Sequence, residues 1–204
     1  TPTFAGLTGY VQYSMKKDGA KDTGVENKAS ADRYVAGALT YKNGPIDGVL
    51  IVDSTFYKTN NGTARIENAH DKSLSVALGG SYDFQVAKVY LGGKYFKNTD
   101  KITDSALTSA DHKGWMVTLS ASAPVAGGTL IGGVAYTSAE NTAKGDDYEF
   151  QRLAGTVEYD YPLSKRTNIW VLGAVGKDKH EEIRAGEDDK PTFWKVGVGL
   201  RHKF

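Results

Sequence analysis

Several residue types and patterns that would assign this sequence to a familiar class are missing from it. It has no cysteine, which excludes disulfides and thiolate chemistry. It has no run of about 18 apolar residues, so a transmembrane helix is excluded. The formal net charge is only +1, which gives no reason to expect a nucleic-acid partner. The mean hydropathy of -0.42 fits a soluble protein, but it fits a membrane barrel equally well, because half of each barrel strand faces water.

The C-terminal segment alternates in polarity up to the last residue. Its apolar, aromatic-tipped face consists of Trp194, Val196, Val198, Leu200, His202 and Phe204. The other face is polar and carries Lys195, Gly197, Gly199, Arg201 and Lys203. This pattern is typical of a barrel strand with lipid on one side and water on the other.

Period-two character recurs along the chain, without a convincing helical period between the segments. The pattern predicts about ten strands, at residues 4–14, 32–41, 46–57, 72–82, 86–96, 114–123, 129–138, 148–161, 167–176 and 193–204. In two of them, 129–138 and 167–176, the alternation is weak and assigns no faces. The fold class indicated is all-β, an antiparallel barrel.

The connections between these strands alternate strictly in length. Short turns at 42–45, 83–85, 125–128 and 162–166 are separated by long polar stretches that include 16–19, 60–62, 98–100, 141–144 and 186–189. One end of the sheet therefore carries tight turns and the other carries long loops. An outer-membrane barrel is built this way, whereas a soluble sandwich has no reason to sort its loops by length.

The width of the barrel is limited by strand number and residue size. Ten strands about 4.8 Å apart and tilted by about 40° would close into a barrel roughly 20 Å across, which side chains should largely fill. Many polar-face residues are Ser, Ala, Gly or Thr, as in Ser73, Ser75, Ala77, Gly79 and Ser81. Such small residues indicate part of a wider, water-filled barrel.

Three segments resemble the trimeric general porins of Gram-negative bacteria. Residues 159–167 (Tyr-Asp-Tyr-Pro-Leu-Ser-Lys-Arg-Thr) resemble a turn of that family, and residues 198–204 resemble its final strand. Residues 2–13 resemble the segment that follows the constriction region of these porins. The similarity spans essentially the whole chain.

This resemblance implies a sixteen-stranded barrel of which residues 1–204 supply a single domain of about ten C-terminal strands. The N-terminal strands and the constriction loop would then be absent, and the start at Thr1 suggests a processed or truncated chain. Unpaired edges in lipid are costly, so we expect an N-terminal porin fragment or another closure as partner. The resemblance also implies a homotrimer in the outer membrane, contact with lipid and lipopolysaccharide, and Phe204 as part of the assembly signal.

The function implied is a water-filled channel for passive diffusion of ions and small hydrophilic solutes. On the expected inner faces the cations are Lys88, Lys94, Arg152, Lys195, Arg201 and Lys203, and the anions are Asp47, Asp53, Glu158 and Asp160. Rows of like charge bias which ion enters a pore. Arg152, Lys195 and Arg201 are the leading selectivity candidates, with Lys88, Lys94 and Glu158 as further pore-lining residues.

Other readings have less support in the sequence. A soluble lectin-like or sandwich protein could use Trp115, Trp170 or Trp194 as ligand platforms, but loop sorting and Phe204 count against it. No catalytic constellation is present, so no enzyme is predicted. The 4 histidines show no zinc-ligand spacing and fit solvated loop residues. No cofactor is expected, although Glu187, Asp188 and Asp189, or Asp146 with Asp147, could hold Ca²⁺ in a loop.

Overall fold

Antiparallel strands make up nearly all of the part of this protein that the structure describes. The computed structural model describes residues 3–15, 33–57, 72–99, 112–141, 148–182 and 191–203. Within these ranges, no helix is long and apolar enough to cross a membrane. The strands are β1 (Thr3–Phe4), β2 (Leu7–Ser14), β3 (Arg33–Asn43), β4 (Ile46–Phe56), β5 (Leu74–Asp83), β6 (Lys88–Thr99), β7 (His112–Val125), β8 (Gly128–Asn141), β9 (Tyr148–Ser164), β10 (Thr167–Glu182) and β11 (Thr192–His202).

All eleven strands form one sheet, in which each strand pairs with its neighbours in sequence. The connections between strands alternate in length as predicted. Tight turns at 5–6, 44–45, 84–87, 126–127 and 165–166 form the short-turn end of the sheet, and the other connections form its long-loop end. Over the residues that the structure describes, no ladder joins β11 to β1 or β2, so the sheet has two edges.

The strand register sorts side chains onto two faces. Leu50, for example, lies opposite Leu39 on β3 and Leu78 on β5. We call this side the apolar face; its large exposed side chains include Val11, Val52, Leu91, Val117, Val134, Val157, Val171 and Val198. The opposite side, the polar face, begins at Thr8 and Gln12 on β2 and continues through Ser81 and Thr156.

Aromatic side chains border the apolar face at both ends. Tyr41, Tyr82 and Tyr161 lie near the short-turn end, in the position of the interfacial aromatic girdle of a membrane barrel. At the long-loop end the border consists of Tyr95, Trp115, Tyr136 and Trp194, and the rings of Trp115 and Tyr136 lie 5.3 Å apart. At about 3.3 Å per residue and a tilt of about 40°, the stretch of β7 from Trp115 to its end spans roughly 25 Å, the height of a barrel's apolar band.

The first predicted strand, 4–14, is interrupted by a turn. Ala5 and Gly6 both have positive φ, at 50° and 82°, and they fold β1 back onto β2. The Gly6 carbonyl accepts a hydrogen bond of 2.9 Å from the backbone N–H of Lys42. A Cβ on Gly6 would overlap the Lys42 carbonyl oxygen, so the turn depends on glycine there. The apparent alternation through residues 4–6 hid this turn.

Most other strands run further toward the long-loop end than their alternation indicated. Strand β10 continues to Glu182 rather than stopping at residue 176, because backbone pairing with β9 persists where the polarity pattern fades. The unassigned strands now have faces: Val134 on β8 and Val171 on β10 are apolar-face residues. The weak alternation of β10 arises because Trp170 and Leu172 share the polar face with Ala174.

Burial is concentrated on the polar face near the long-loop end. Phe96, Ala139 and Phe150 form a small buried cluster there. His112 is 1% exposed, and its Nδ1 lies 3.2 Å from the carbonyl oxygen of Thr99. The prediction of solvated loop histidines is therefore wrong for His112, because β7 begins two residues before the predicted start and encloses it. His70 lies outside the described residues.

Candidate channel wall

The predicted pore-lining residues all occupy the polar face of the sheet. Lys88 and Lys94 are on β6, Arg152 and Glu158 on β9, and Lys195 and Arg201 on β11; the accompanying acids Asp47, Asp53 and Asp160 share this face. They are spread along the wall and do not form one cluster. Two of the cations, Lys88 and Arg152, form ion pairs with nearby aspartates, whereas the other cations form none within the described ranges.

Lys88 forms an ion pair at the short-turn end of the wall. Its Nζ lies 2.7 Å from Asp47 Oδ2 on β4, and Lys42 Nζ lies 3.8 Å from the other carboxylate oxygen of Asp47. The ammonium of Lys88 is also 5.5 Å from the ring centroid of Tyr90. Asp47 therefore offsets the charge of Lys88, so the two contribute little net field to the wall.

Arg152 is held in a more enclosed arrangement near the long-loop end. Its Nε and Nη2 donate hydrogen bonds of 2.7 and 2.6 Å to the two carboxylate oxygens of Asp178 on β10. The guanidinium lies 5.3 Å from the ring centroid of Phe150 and 5.0 Å from that of Phe193. The Arg152 side chain is 31% exposed and that of Asp178 only 8%. A planar guanidinium can donate two hydrogen bonds to one carboxylate and stack on aromatic rings at the same time, so arginine suits this position.

Asp178 is a site residue that the sequence did not point to. Its strand was predicted to end at residue 176, so Asp178 was placed in a loop, whereas β10 pairs it directly with Arg152. The backbone N–H of Asp178 also donates to the Pro191 carbonyl at 2.9 Å. The alternation of charge sign through Lys177, Asp178 and Lys179 was the signal that could have extended the strand.

Four of the predicted cations form no salt bridge to any acid among the described residues. These exposed residues are Lys94, Lys195, Arg201 and Lys203. Arg201 lies opposite Asn168, whose amide donates to both carboxylate oxygens of Asp160. On the polar face of β11 every charged residue is a cation, and the cation Lys203 follows directly after the strand; we call Lys195, Arg201 and Lys203 the basic strip.

Comparison with known proteins assigns the chain to a family. The family model described as Gram-negative porin matches residues 1–182. The chain belongs to this porin family. An outer membrane porin of Bordetella pertussis is 30% identical over the whole chain, which covers 56% of that relative. Outer membrane porin protein 32 of Delftia acidovorans is 29% identical, again over the whole chain and 54% of the relative.

A solved structure supports the same fold. The anion-selective porin from Comamonas acidovorans matches the whole chain with a TM-score of 0.65 and 26% identity, and the match covers 57% of that protein. The chain thus spans little more than half the length of these relatives. The predicted porin resemblance and all-β barrel class are confirmed, and these relatives are outer-membrane proteins.

The porin fold also explains where the large aromatic side chains lie. Trp115 and Trp194 are on the apolar face and Trp170 is on the polar face, so they form no common ligand platform, and nothing supports the lectin-like alternative. Trp170 lies directly over two glycines of β11: a Cβ on Gly199 would overlap its indole, and one on Gly197 would come within 3.2 Å. Trp170, the largest side chain of the polar face, therefore packs against the backbone of β11.

Other predicted sites have little or no structural description. Phe204, the expected assembly signal, lies outside the described residues, as do the calcium candidates Asp146, Asp147 and Glu187 to Asp189. In the described part of the chain, no group of three or more His, Asp or Glu side chains could hold a metal ion. Calcium binding by the loops stays a prediction.

Proposed function

We propose that this porin chain forms part of a water-filled outer-membrane channel through which ions and small hydrophilic solutes diffuse, with no bond made or broken. The observation that carries the proposal is the two-faced sheet. Its apolar face carries no Lys, Arg, Asp or Glu between its two aromatic borders, while its polar face carries charges on strands from β3 to β11. Such a sheet satisfies lipid on one side and water on the other.

The partners expected from the sequence remain part of this proposal. The edges of the sheet are β11 at one side and, at the other, the two-residue β1 with the part of β2 that β1 leaves unpaired. Their backbone groups cannot be satisfied by lipid, so further strands should pair with them and complete the barrel. The length of the relatives supports this, because the chain covers 56% and 54% of the two porins. A homotrimer follows from the family resemblance and is tested by native mass spectrometry of the protein purified in detergent.

We further propose that the channel favours anions. The polar face carries cations and anions in similar numbers, but they are not evenly distributed. The basic strip on β11 has no acid, whereas the acids Asp47 and Asp53 lie together on β4 and Lys88 already binds Asp47. A strip of like charge along a pore wall concentrates the oppositely charged ion. The similar Comamonas porin is described as anion-selective.

The test is the reversal potential across a planar bilayer under a salt gradient. Neutralising Lys195→Gln together with Arg201→Gln should shift the preference toward cations, and Lys94→Gln should add to that shift. The matched control is Lys97→Gln with Lys113→Gln, which removes the same charge from the apolar face. If both double variants give the same reversal potential, the basic strip does not set ion preference. If well-folded wild-type protein with a complete set of strands gives no channels, the porin function itself is wrong.

A further inference from the structure

Large apolar side chains lie together on the polar face, toward the short-turn end of β8, β9 and β10. Trp170 and Leu172 alternate on β10, and Ile131 on β8 lies in the same row as Leu172, with Glu158 of β9 between them. We call Ile131, Trp170 and Leu172 the apolar patch; none of the three is buried. Apolar surface in water is unfavourable, so a wall that passes only ions and water has no need of such a patch.

Trp170 presents a ring to the channel because glycines lie beneath it. Its Nε1, Cε2 and Cζ2 atoms lie nearest to the place where a Cβ of Gly199 would be, and Cζ3 and Cη2 lie nearest to that of Gly197. The indole therefore runs along β11, with its Nε1 over Gly199. A Cβ on Gly197 would also lie 3.8 Å from Leu172 Cδ2, so Leu172 continues the apolar surface beyond the ring. Trp170 is half-buried, which leaves part of the ring open to the channel.

Arg201 lies beside the Nε1 end of the indole. It is the next polar-face residue after Gly199 on β11, about 7 Å along the strand, and it lies opposite Asn168. The Asn168 amide already donates to both carboxylate oxygens of Asp160, and Arg201 forms no salt bridge with an acid in the described part of the chain. Two hydrogen-bond donors, the Arg201 guanidinium and the Trp170 indole N–H, therefore lie next to each other at one end of the apolar patch.

Glu158 limits the charge that a ligand can carry at this place. It lies between Ile131 and Leu172, in one row across β8, β9 and β10, and within the described ranges it forms no salt bridge. A second negative charge on a ligand held by Arg201 would lie over the apolar patch and near this carboxylate, and like charges repel. The arrangement therefore complements a molecule with one carboxylate and an apolar body.

The spacing of the cations on β11 has the same consequence. Lys195 is six residues from Arg201, which places their backbones about 20 Å apart along the strand. A small dicarboxylate is too short to reach both. It would have to leave its second charge between them, over the apolar patch.

We propose that Trp170, Leu172 and Arg201 form a binding subsite on the channel wall for monocarboxylates with an aromatic or branched apolar body. The carboxylate accepts hydrogen bonds from the Arg201 guanidinium and from Trp170 Nε1–H, and the apolar body lies on the indole and on Leu172. This inference rests on the proposed channel function. It goes beyond the proposed anion preference, because that preference depends on charge alone and does not distinguish one small anion from another.

The first test follows the indole N–H signal of Trp170 by NMR in the folded protein in detergent, with the signal identified by its loss in Trp170→Phe. Benzoate should shift this signal saturably, and the titration gives a Kd. Arg201→Gln should weaken benzoate binding about tenfold, because it removes a hydrogen bond to a charged group. The matched control is Lys42→Gln, which removes one cation from the same face and the same end of the sheet, on β3, and should bind benzoate as the wild type does.

Two further probes separate the apolar body from the charge. Acetate, which has the carboxylate alone, should bind at least about tenfold more weakly than benzoate, since it buries no ring. Leu172→Thr suits a strand and should weaken benzoate binding without changing acetate binding. Succinate should also bind more weakly than benzoate, and Glu158→Gln should raise its affinity more than that of benzoate.

Several results would overturn the subsite. These are a Trp170 signal that benzoate does not move, equal affinities for acetate and benzoate, and equal weakening by Arg201→Gln and Lys42→Gln. The last two would mean that a basic wall attracts anions by charge alone. The spectra need no open channel in a bilayer, so the subsite can fail while the channel function stands, and absence of conductance would not alter the measured Kd.

Discussion

Breaking the Arg152–Asp178 pair should lower the stability of the protein and change its ion preference. Replacing the arginine and replacing the aspartate should shift the ion preference in opposite directions. Arg152→Gln leaves the Asp178 carboxylate on the wall without its partner and should shift the reversal potential toward cations. Asp178→Asn leaves the guanidinium uncompensated and should shift it toward anions. The double variant removes both charges and should lie close to wild type.

The size of the stability change follows from the exposure of the pair. Breaking a fully buried pair costs about 3–5 kcal/mol, and an exposed pair contributes about 0.2–1 kcal/mol. The side chains of Arg152 and Asp178 are 31% and 8% exposed, which places them between these limits. We expect each single substitution to cost about 2 kcal/mol and the double to cost little more than either, giving a coupling energy of about 2 kcal/mol.

The assay is a double-mutant cycle run twice on the same four proteins. Urea titration in detergent micelles, followed by tryptophan fluorescence, gives the coupling energy, and planar-bilayer recordings give the reversal potentials. A coupling energy below about 0.5 kcal/mol, together with unchanged reversal potentials in both single variants, would mean that water separates the two charges. The arrangement with Phe150 and Phe193 would then have no electrostatic role.

Three further predictions concern the backbone and the wall. Gly6→Val should cost about 2–3 kcal/mol, because it strains a positive φ and drives Cβ into the Lys42 carbonyl, and a loss below 0.5 kcal/mol in the urea titration would contradict this. Ala126→Gly should raise the melting temperature slightly, since a positive φ of 46° costs alanine about 1 kcal/mol, and a lower melting temperature would refute it. Gly199→Val should push Trp170 away from the wall and lower single-channel conductance. Gly9→Val is the control and should leave conductance unchanged. If Gly199→Val has the same conductance as wild type, Trp170 can move without narrowing the channel.

The strand pattern and the two faces were predictable because a membrane barrel enforces strict alternation of polarity. Val196, Val198 and Leu200 were assigned to the apolar face of the last strand from sequence alone, and the register confirms them. Such alternation depends only on which side of the sheet a residue faces. It therefore appears in the order of residues before any long-range contact is known.

Features that depend on neighbouring strands were not predictable in this way. The partnership of Arg152 with Asp178 requires the β9–β10 register, and the burial of His112 requires the extent of β7. Trp170 weakened the alternation of β10 because it packs over glycines of a different strand. In each exception, the position of the side chain is determined by a contact with a neighbouring strand rather than by exposure to lipid or water.

The neighbour-only pairing of the sheet has a consequence for how it assembles. Since every strand pairs with strands adjacent in sequence, the entropy lost on adding a strand depends only on the length of its own loop, and it grows slowly with that length. The hairpins closed by two-residue turns, such as β7–β8 and β9–β10, should form earliest, and the longer loops should then bring them together. Such a sheet can grow by whole hairpins, so that each intermediate exposes only two strand edges.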